Sequence, residues 1–337
     1  KGKRDSSMRA VLVEDFGPIE NHKLGEIETP TPSRGEVLID IHAIGINFPD
    51  TLMMQGLYQT KPGRPFTPGR DVAGVISAVG DDVIGLKVGD RVMAIVAWGA
   101  YAETCVAPVV RCFSLPDDVD FVTAAGMATV YMTSWVALME RGAYQPGEKV
   151  LVLGASGGVG LAAVQIAKAH GGFVVGGSSS EERGKIVLEN GADAIVDLSV
   201  ENINENLRQQ VFKVAGKEGV DIVLDPLGGK IFTAALRTLA CSGRIVCIGF
   251  IAGIPAAKAN YFNVKNVTLV GMALDLHFRF KPQVIKSAAD DILKLLAEGK
   301  INPRIEDTYE LGDFQSALAK FKASKSPGKL VLTTGRS

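Results

Sequence analysis

From about residue 147 to residue 272 the chain repeats one pattern: a short apolar run, a turn containing glycine, an amphipathic stretch, then another apolar run. No other feature of the sequence restricts the possible folds as strongly. The apolar runs cover residues 150–153, 173–177, 194–196, 220–224, 244–249 and 268–272. Helical spacing fills the gaps at 159–170, about 181–190, about 203–215 and 231–239. Short strands that are apolar throughout are buried on both faces. Alternation with helices joins them in parallel, which predicts an α/β fold with a doubly wound parallel sheet.

The rest of the chain reads differently. Residues 9 to about 130 look β-rich, with runs such as "EVLIDIHAIGI" and "DVAGVISAVG" between turns of Gly, Pro and Asp. After residue 274 come one long helix, 283–298, and a closing strand in "GKLVLTT". That tail breaks the alternation and is expected to return to the first domain. The expected division is 8–130 with 274–335 in one domain and 131–273 in the other. A length of 337 residues suits two such domains. The polar opening "KGKRDSS" reads as a remnant added for expression or a frayed, disordered end before a natural start at Met8.

Composition excludes several classes. A net charge of -1 supplies no basic field for nucleic acid or an anionic membrane. The longest apolar stretches, 93–102 and 245–257, are too short to span a bilayer. Cys105, Cys112, Cys241 and Cys247 form no CxxC and read as reduced thiols, which implies a cytoplasmic protein. His22, His42, His170 and His277 are scattered without the spacing of a metal site.

Within the repeat, "LVLGASGGVG" sets Gly154, Gly157 and Gly160 three apart, directly after a strand and before a helix. In that context the near absence of side chains lets a pyrophosphate approach N–H groups at the positive end of the helix. A tight turn needed only for packing is the plainer alternative. An NAD site normally has an acid at the end of the second strand, ~20 residues on, for the ribose 2′-OH. Here Gly176, Gly177 and Ser178 stand there. Ser179 and Glu182 have capping-box spacing, so Ser179 is expected to start the next helix with Arg183 in its first turn. A hydroxyl, a helix N-terminus and a guanidinium suit a 2′-phosphate, hence NADPH. The alternative is an Arg183 merely solvated beside Glu181 and Glu182.

"GINFPDTLMMQGLYQ", "PFTPGRDVAGVISAVG", "KVGDRVMA", "LVLGASGGVGLAAVQIAKAHG" and "VDIVLDPLGGKIFTAALRTLACSGRIVCIGF" together resemble the zinc-independent quinone oxidoreductases of the medium-chain dehydrogenase/reductase superfamily. The resemblance implies a GroES-like β-rich catalytic domain formed by both chain ends, a Rossmann domain between them, and a homodimer. It implies NADPH-dependent reduction of a small quinone or enone. Position by position, it puts Asn47 near the nicotinamide and Tyr58 in the active site. Thr133 falls at the nicotinamide end, and Ala155, Ser156, Gly157, Gly158 and Val159 on the pyrophosphate. Ser179 and Arg183 fall at the 2′-phosphate, Gly249 and Phe250 at the turn bordering the cofactor, and Lys325 near a C-terminal cofactor position. Two departures stand out: Leu198 replaces a frequent Tyr, and Ser324 a frequent Arg. Zinc-dependent relatives hold their metal where this chain has Asn47 and Arg70, so no metal is expected.

Without a metal, a hydrogen-bond donor must meet the charge that hydride transfer places on a carbonyl oxygen. Asn47 and Tyr58 are the candidates, and Tyr58 is also a possible proton donor. Packing alone is the alternative for Tyr58. Trp98 and Tyr101 read equally as an aromatic wall or as core, and Arg70 as a structural partner of Asp71 or Asp50. Two further functions fit the same motifs: a 2-enoyl-thioester reductase, and an NADPH-binding sensor or accessory protein with little catalysis.

Overall fold

The structure, a computed structural model, describes residues 7–323 and 327–336. Two compact units divide it: residues up to Thr129 together with those from Pro303 onward, and Val130–Asn302.

The first unit opens with the antiparallel pair β1 (Ser7–Leu12) and β2 (Lys23–Glu28). Then come β3 (Glu36–Gly45), helix α1 (Phe48–Met54), β4 (Asp71–Val79), β5 (Arg91–Ile95), β6 (Thr104–Pro108) and β7 (Cys112–Ser114). β3 is the spine of a seven-stranded sheet. It pairs with β4 along its length and with β6 over its first half. Its apolar residues are buried on both faces because strands lie on either side and a helix lies across its end. That helix, α2 (Phe121–Trp135), comes so close that a Cβ on Gly45 would sit 2.2 Å from the Ala125 carbonyl oxygen.

α2 is a departure from the β-rich reading of this stretch. It continues as a wider turn through Val136–Arg141, and the run Phe121–Arg141 has the length and hydropathy of a membrane span among the described residues. Protein buries 72% of its most apolar window, so it serves as a core helix. Being apolar nearly all round, it shows no amphipathic stripe for sequence reading to detect.

The second unit follows the alternating pattern closely. Its elements are β8 (Lys149–Val152), α3 (Gly158–Ala169), β9 (Phe173–Ser178), α4 (Glu181–Glu189), β10 (Ala194–Asp197), α5 (Ile203–Ala215), β11 (Val220–Asp225), α6 (Gly229–Leu236) and β12 (Leu239–Cys247). Then α7 (Asn260–Val264) leads to β13 (Thr268–Gly271). The six strands are all parallel, in the order β10-β9-β8-β11-β12-β13. This is the Rossmann order, which reverses direction between β8 and β11 and opens a crevice at the strands' carboxyl ends.

The domain boundary expected near residue 274 lies instead at 302. Helices α8 (Leu274–Phe280) and α9 (Pro282–Ala297) belong to the second unit. Asp291 on α9 accepts from Trp135 Nε1 and pairs with His170 Nε2, both at 2.7 Å. Lys281 reaches Glu140 at 2.8 Å. These contacts outweigh the break in the strand–helix rhythm. Only then does the chain return to the first unit, as β14 (Ile305–Glu310), α10 (Phe314–Lys322) and β15 (Lys329–Thr333). β15 pairs with the end of β3.

Candidate functional site

In the second unit, the chain leaves β8 through Gly154, whose φ is +58°. Ala155 N donates to the Gly177 carbonyl at 2.9 Å, tying the loop to β9. Gly157 is the N-cap of α3 and has no side chain to satisfy the first-turn N–H groups. Helix ends leave such donors unpaired. Gly157 is exposed, and a Cβ there would meet nothing nearer than 3.4 Å, so the site is open above the loop. Gly160 is different: its Cβ would lie 2.2 Å from the Gly154 carbonyl oxygen, so it is required by the loop's own packing. Ala155 and Ser156 are buried beneath, and Ser134 Oγ donates to the Val159 carbonyl at 2.8 Å. An anion is the ligand this donor set fits.

No acid stands at the end of β9. Gly177 is covered by Leu198, whose Cδ2 would lie 3.0 Å from an added Cβ, and Leu198 N donates to the Ser178 carbonyl. The expected cap is off by one residue. Ser180, not Ser179, is the N-cap of α4, and its Oγ accepts from Arg183 N at 3.3 Å. Both serines precede the helix, but Ser180 stands directly before its first turn in extended backbone, φ -153° and ψ 158°, which brings its Oγ to the Arg183 N–H. Ser179, one residue further out, is outside the capping interaction. Arg183 stays in the first turn, partly exposed.

At the far side of the crevice, Gly249 N donates to the Asp225 carbonyl at 3.4 Å, and Phe250 is 48% exposed. Thr133 is buried on α2. Asp225 escaped the sequence reading. Its Oδ1 accepts from Leu227 N and Gly228 N at 2.9 Å each, shaping the turn at the end of β11. Burial raises its pKa against those two bonds. An acid directly after the apolar run "IVL" and just before "PLGG" was the available signal.

In the first unit, Asn47 precedes α1 and is 4% exposed. Its backbone N–H donates to Asp50 Oδ2 and its Nδ2 to Asp71 Oδ2, both at 2.9 Å. Its Oδ1 accepts from Lys329 Nζ at 2.7 Å. Asp71 also accepts from Thr129 N at 3.0 Å and from Thr129 Oγ1. Asp50 is fully buried, and its Oδ1 has no hydrogen-bond partner among the described residues. Burial, reinforced by Asp71, pushes its carboxyl up to about 7.

Tyr101 settles on one side of the earlier ambiguity. It is fully buried and donates to Asp50 Oδ2 at 3.0 Å, so it is core. Trp98 is 44% exposed. Arg70 is buried, with Nε donating to the Val96 carbonyl at 3.2 Å and Nη1 to Tyr58 Oη at 3.4 Å. Tyr58 is half-buried against the first unit's core. Among the described residues no three of His, Cys, Asp or Glu gather as a metal site. Ser324 and Lys325 lie outside the described residues.

Two family models match the chain: "Alcohol dehydrogenase GroES-like domain" over residues 33–117 and "Zinc-binding dehydrogenase" over 158–290. The quinone oxidoreductase of Mus musculus is 38% identical over 328 residues, covering 96% of this chain and 97% of that protein. A solved mycobacterial quinone oxidoreductase superposes with a TM-score of 0.89 at 31% identity, covering 97% and 99% of the two chains. The Escherichia coli quinone oxidoreductase complexed with NADPH gives 0.88 at 27%, covering 96% and 99%.

Proposed function

The chain belongs to the quinone oxidoreductases of the medium-chain dehydrogenase/reductase superfamily. From that premise we propose that it is an NADPH-dependent, zinc-independent reductase of quinones or other α,β-unsaturated carbonyls. The observation that carries this reading is the chemistry at the two positions where zinc-dependent relatives hold their metal. Here they offer an amide, Asn47, and a guanidinium, Arg70, which donate hydrogen bonds instead of ligating. Charge gained by a substrate oxygen then has to be met by N–H and O–H groups.

The second unit fits NADPH on its own terms. The backbone of Ala155 to Val159 would hold the pyrophosphate, with Gly157 leaving the approach open. Ser179 and Arg183 would hold the 2′-phosphate, where an acid would repel it. Thr133 is assigned to the nicotinamide end, and Gly249 and Phe250 to the turn bordering the cofactor. When bound, the cofactor supplies the hydride. Asn47 and Tyr58 would donate to the substrate oxygen.

The homodimer is proposed through β13, which among the described residues is hydrogen-bonded on one side only, to β12. Its Leu269 and the nearby Val264 are exposed, and an open apolar edge is a template for pairing. A monomer mass in light scattering would remove that part. Four free thiols fit a reducing compartment, and the cytoplasm is the proposed location.

The test follows NADPH oxidation with 9,10-phenanthrenequinone, 1,4-benzoquinone and crotonyl-CoA. Turnover of the quinones supports the proposal. Preference for crotonyl-CoA would replace it with a 2-enoyl-thioester reductase. Tight NADPH binding without turnover of any of the three would mark a sensor or accessory protein.

A further inference from the structure

Lys329 opens β15 and is 7% exposed, followed by the buried apolar residues Leu330, Val331 and Leu332. A buried ammonium is expensive, and a well-packed apolar residue at such a place is often as stable or more so. Packing alone therefore gives no reason for a lysine here. What the lysine does is specific. Its Nζ donates to Asn47 Oδ1 at 2.7 Å and to the Ile46 carbonyl. Burial lowers its pKa, while Asp71 and Asp50 act to keep it charged.

On the other side of the same amide, Nδ2 donates to Asp71 Oδ2, and Thr129 holds Asp71 from α2. An ammonium only donates and an ionised carboxylate only accepts. The Asn47 amide therefore has one permitted orientation. A flipped amide would set NH₂ against the ammonium and the carbonyl against the carboxylate. Of the two Nδ2 hydrogens, Asp71 takes one. A cation on the amide oxygen also draws electron density from the nitrogen and strengthens the second N–H as a donor.

We propose that Lys329 is a positioning residue for the reductase reaction: it fixes and polarises the Asn47 amide so that the amide offers an N–H to the substrate oxygen. This rests on the reading of Asn47 given above.

The experiment compares Asn47→Ala, Lys329→Met and the double variant in the full chain. It measures kcat and KM with 9,10-phenanthrenequinone, NADPH affinity, and the side-chain amide NMR signal of Asn47, identified by its loss in Asn47→Ala. Lys329→Met should lower kcat about tenfold to a hundredfold, with KM and NADPH affinity nearly unchanged. The Asn47 amide signal should shift and exchange faster with solvent. The double variant should be no slower than Asn47→Ala, because Lys329 acts through Asn47. A loss in Asn47→Ala without one in Lys329→Met overturns the proposal, as does a double variant that loses the product of the two effects. Unchanged kcat in Asn47→Ala overturns both the reading of Asn47 and the role given to Lys329. If the methionine variant does not fold, Lys329→Gln carries the same comparison. It keeps a neutral donor and should retain more activity than complete loss of the amide contact.

Discussion

The loop from Gly154 to Gly160 and the cluster around Asn47 both present hydrogen-bond donors, but they are built in opposite ways. The loop is seven consecutive residues whose backbone does the work. The cluster joins Asn47 and Asp50 at the start of α1 to Asp71, Tyr101, Thr129 and Lys329 from distant parts of the chain and works through side chains. A backbone site is sensitive to an added Cβ and indifferent to side-chain chemistry. A side-chain cluster is sensitive to charge balance, since each member satisfies a neighbour that would otherwise be buried alone. Five substitutions test that contrast.

The largest effect is expected in the loop. Gly160→Ala places a Cβ 2.2 Å from the Gly154 carbonyl oxygen, so the loop must move. Losing two charge-assisted N–H contacts at ~1.5–3 kcal/mol each predicts a loss of NADPH affinity of about a hundredfold or more, along with a lower Tm. Gly157→Ala sharpens the point, because its Cβ meets no protein atom within 3.4 Å. It should keep the Tm and still lose affinity. Unchanged affinity in both variants would mean that the loop serves packing alone.

In the cluster, Asp50 should titrate through folding. Its carboxyl ionises near 3.8 ordinarily and near about 7 in the folded protein. Between those values the folded state holds a proton that the unfolded state has released. Its contribution to stability is full below the unfolded value and is lost as pH rises through the folded one, at most about 4 kcal/mol in all. Asp50→Asn has no such titration. The Tm difference in favour of the wild type should therefore shrink between about pH 4 and about pH 8. A difference independent of pH would show that Asp50 is ionised in the folded state.

Arg183→Ala returns to the second unit with a smaller effect. One charge-assisted contact of ~1.5–3 kcal/mol predicts roughly tenfold to a hundredfold weaker NADPH binding, with NADH nearly unaffected. Equal losses for both cofactors would make Arg183 structural. The smallest effect is expected for Tyr58→Phe with a quinone, whose reduced product takes protons from water. Turnover should change little. With crotonyl-CoA, loss of a positioned proton donor predicts a drop of ~10²–10⁴-fold instead. No change with either substrate would leave Tyr58 as packing against Arg70.

The contrast also explains what was legible in advance. The strands and helices of the second unit lie close to where the alternation puts them, because hydrophobic period and glycine turns act over a few neighbouring residues. The start of α4 shows where that local logic weakens. Ser179 and Ser180 both satisfy a capping pattern within one residue of each other, and backbone geometry chose Ser180. Helix α2 was hidden by its apolar character on all sides. α9 was assigned to the wrong unit because its contacts with Trp135 and His170 join residues more than a hundred positions apart.

By itself the sequence determined the parallel alternating unit, the open glycine loop and the acid-free end of β9, since each is encoded in adjacent residues. It also carried the family's identity and made Asn47 and Tyr58 candidates. Tertiary structure alone decided how Asn47 is held. Lys329 lies 282 residues from Asn47 along the chain and meets it because β15 pairs with the end of β3. The amide's orientation follows from placing a group that only donates on one side and a group that only accepts on the other. No local pattern encodes that pairing. It arises when folding excludes water and leaves each buried polar atom to find its partner within the protein.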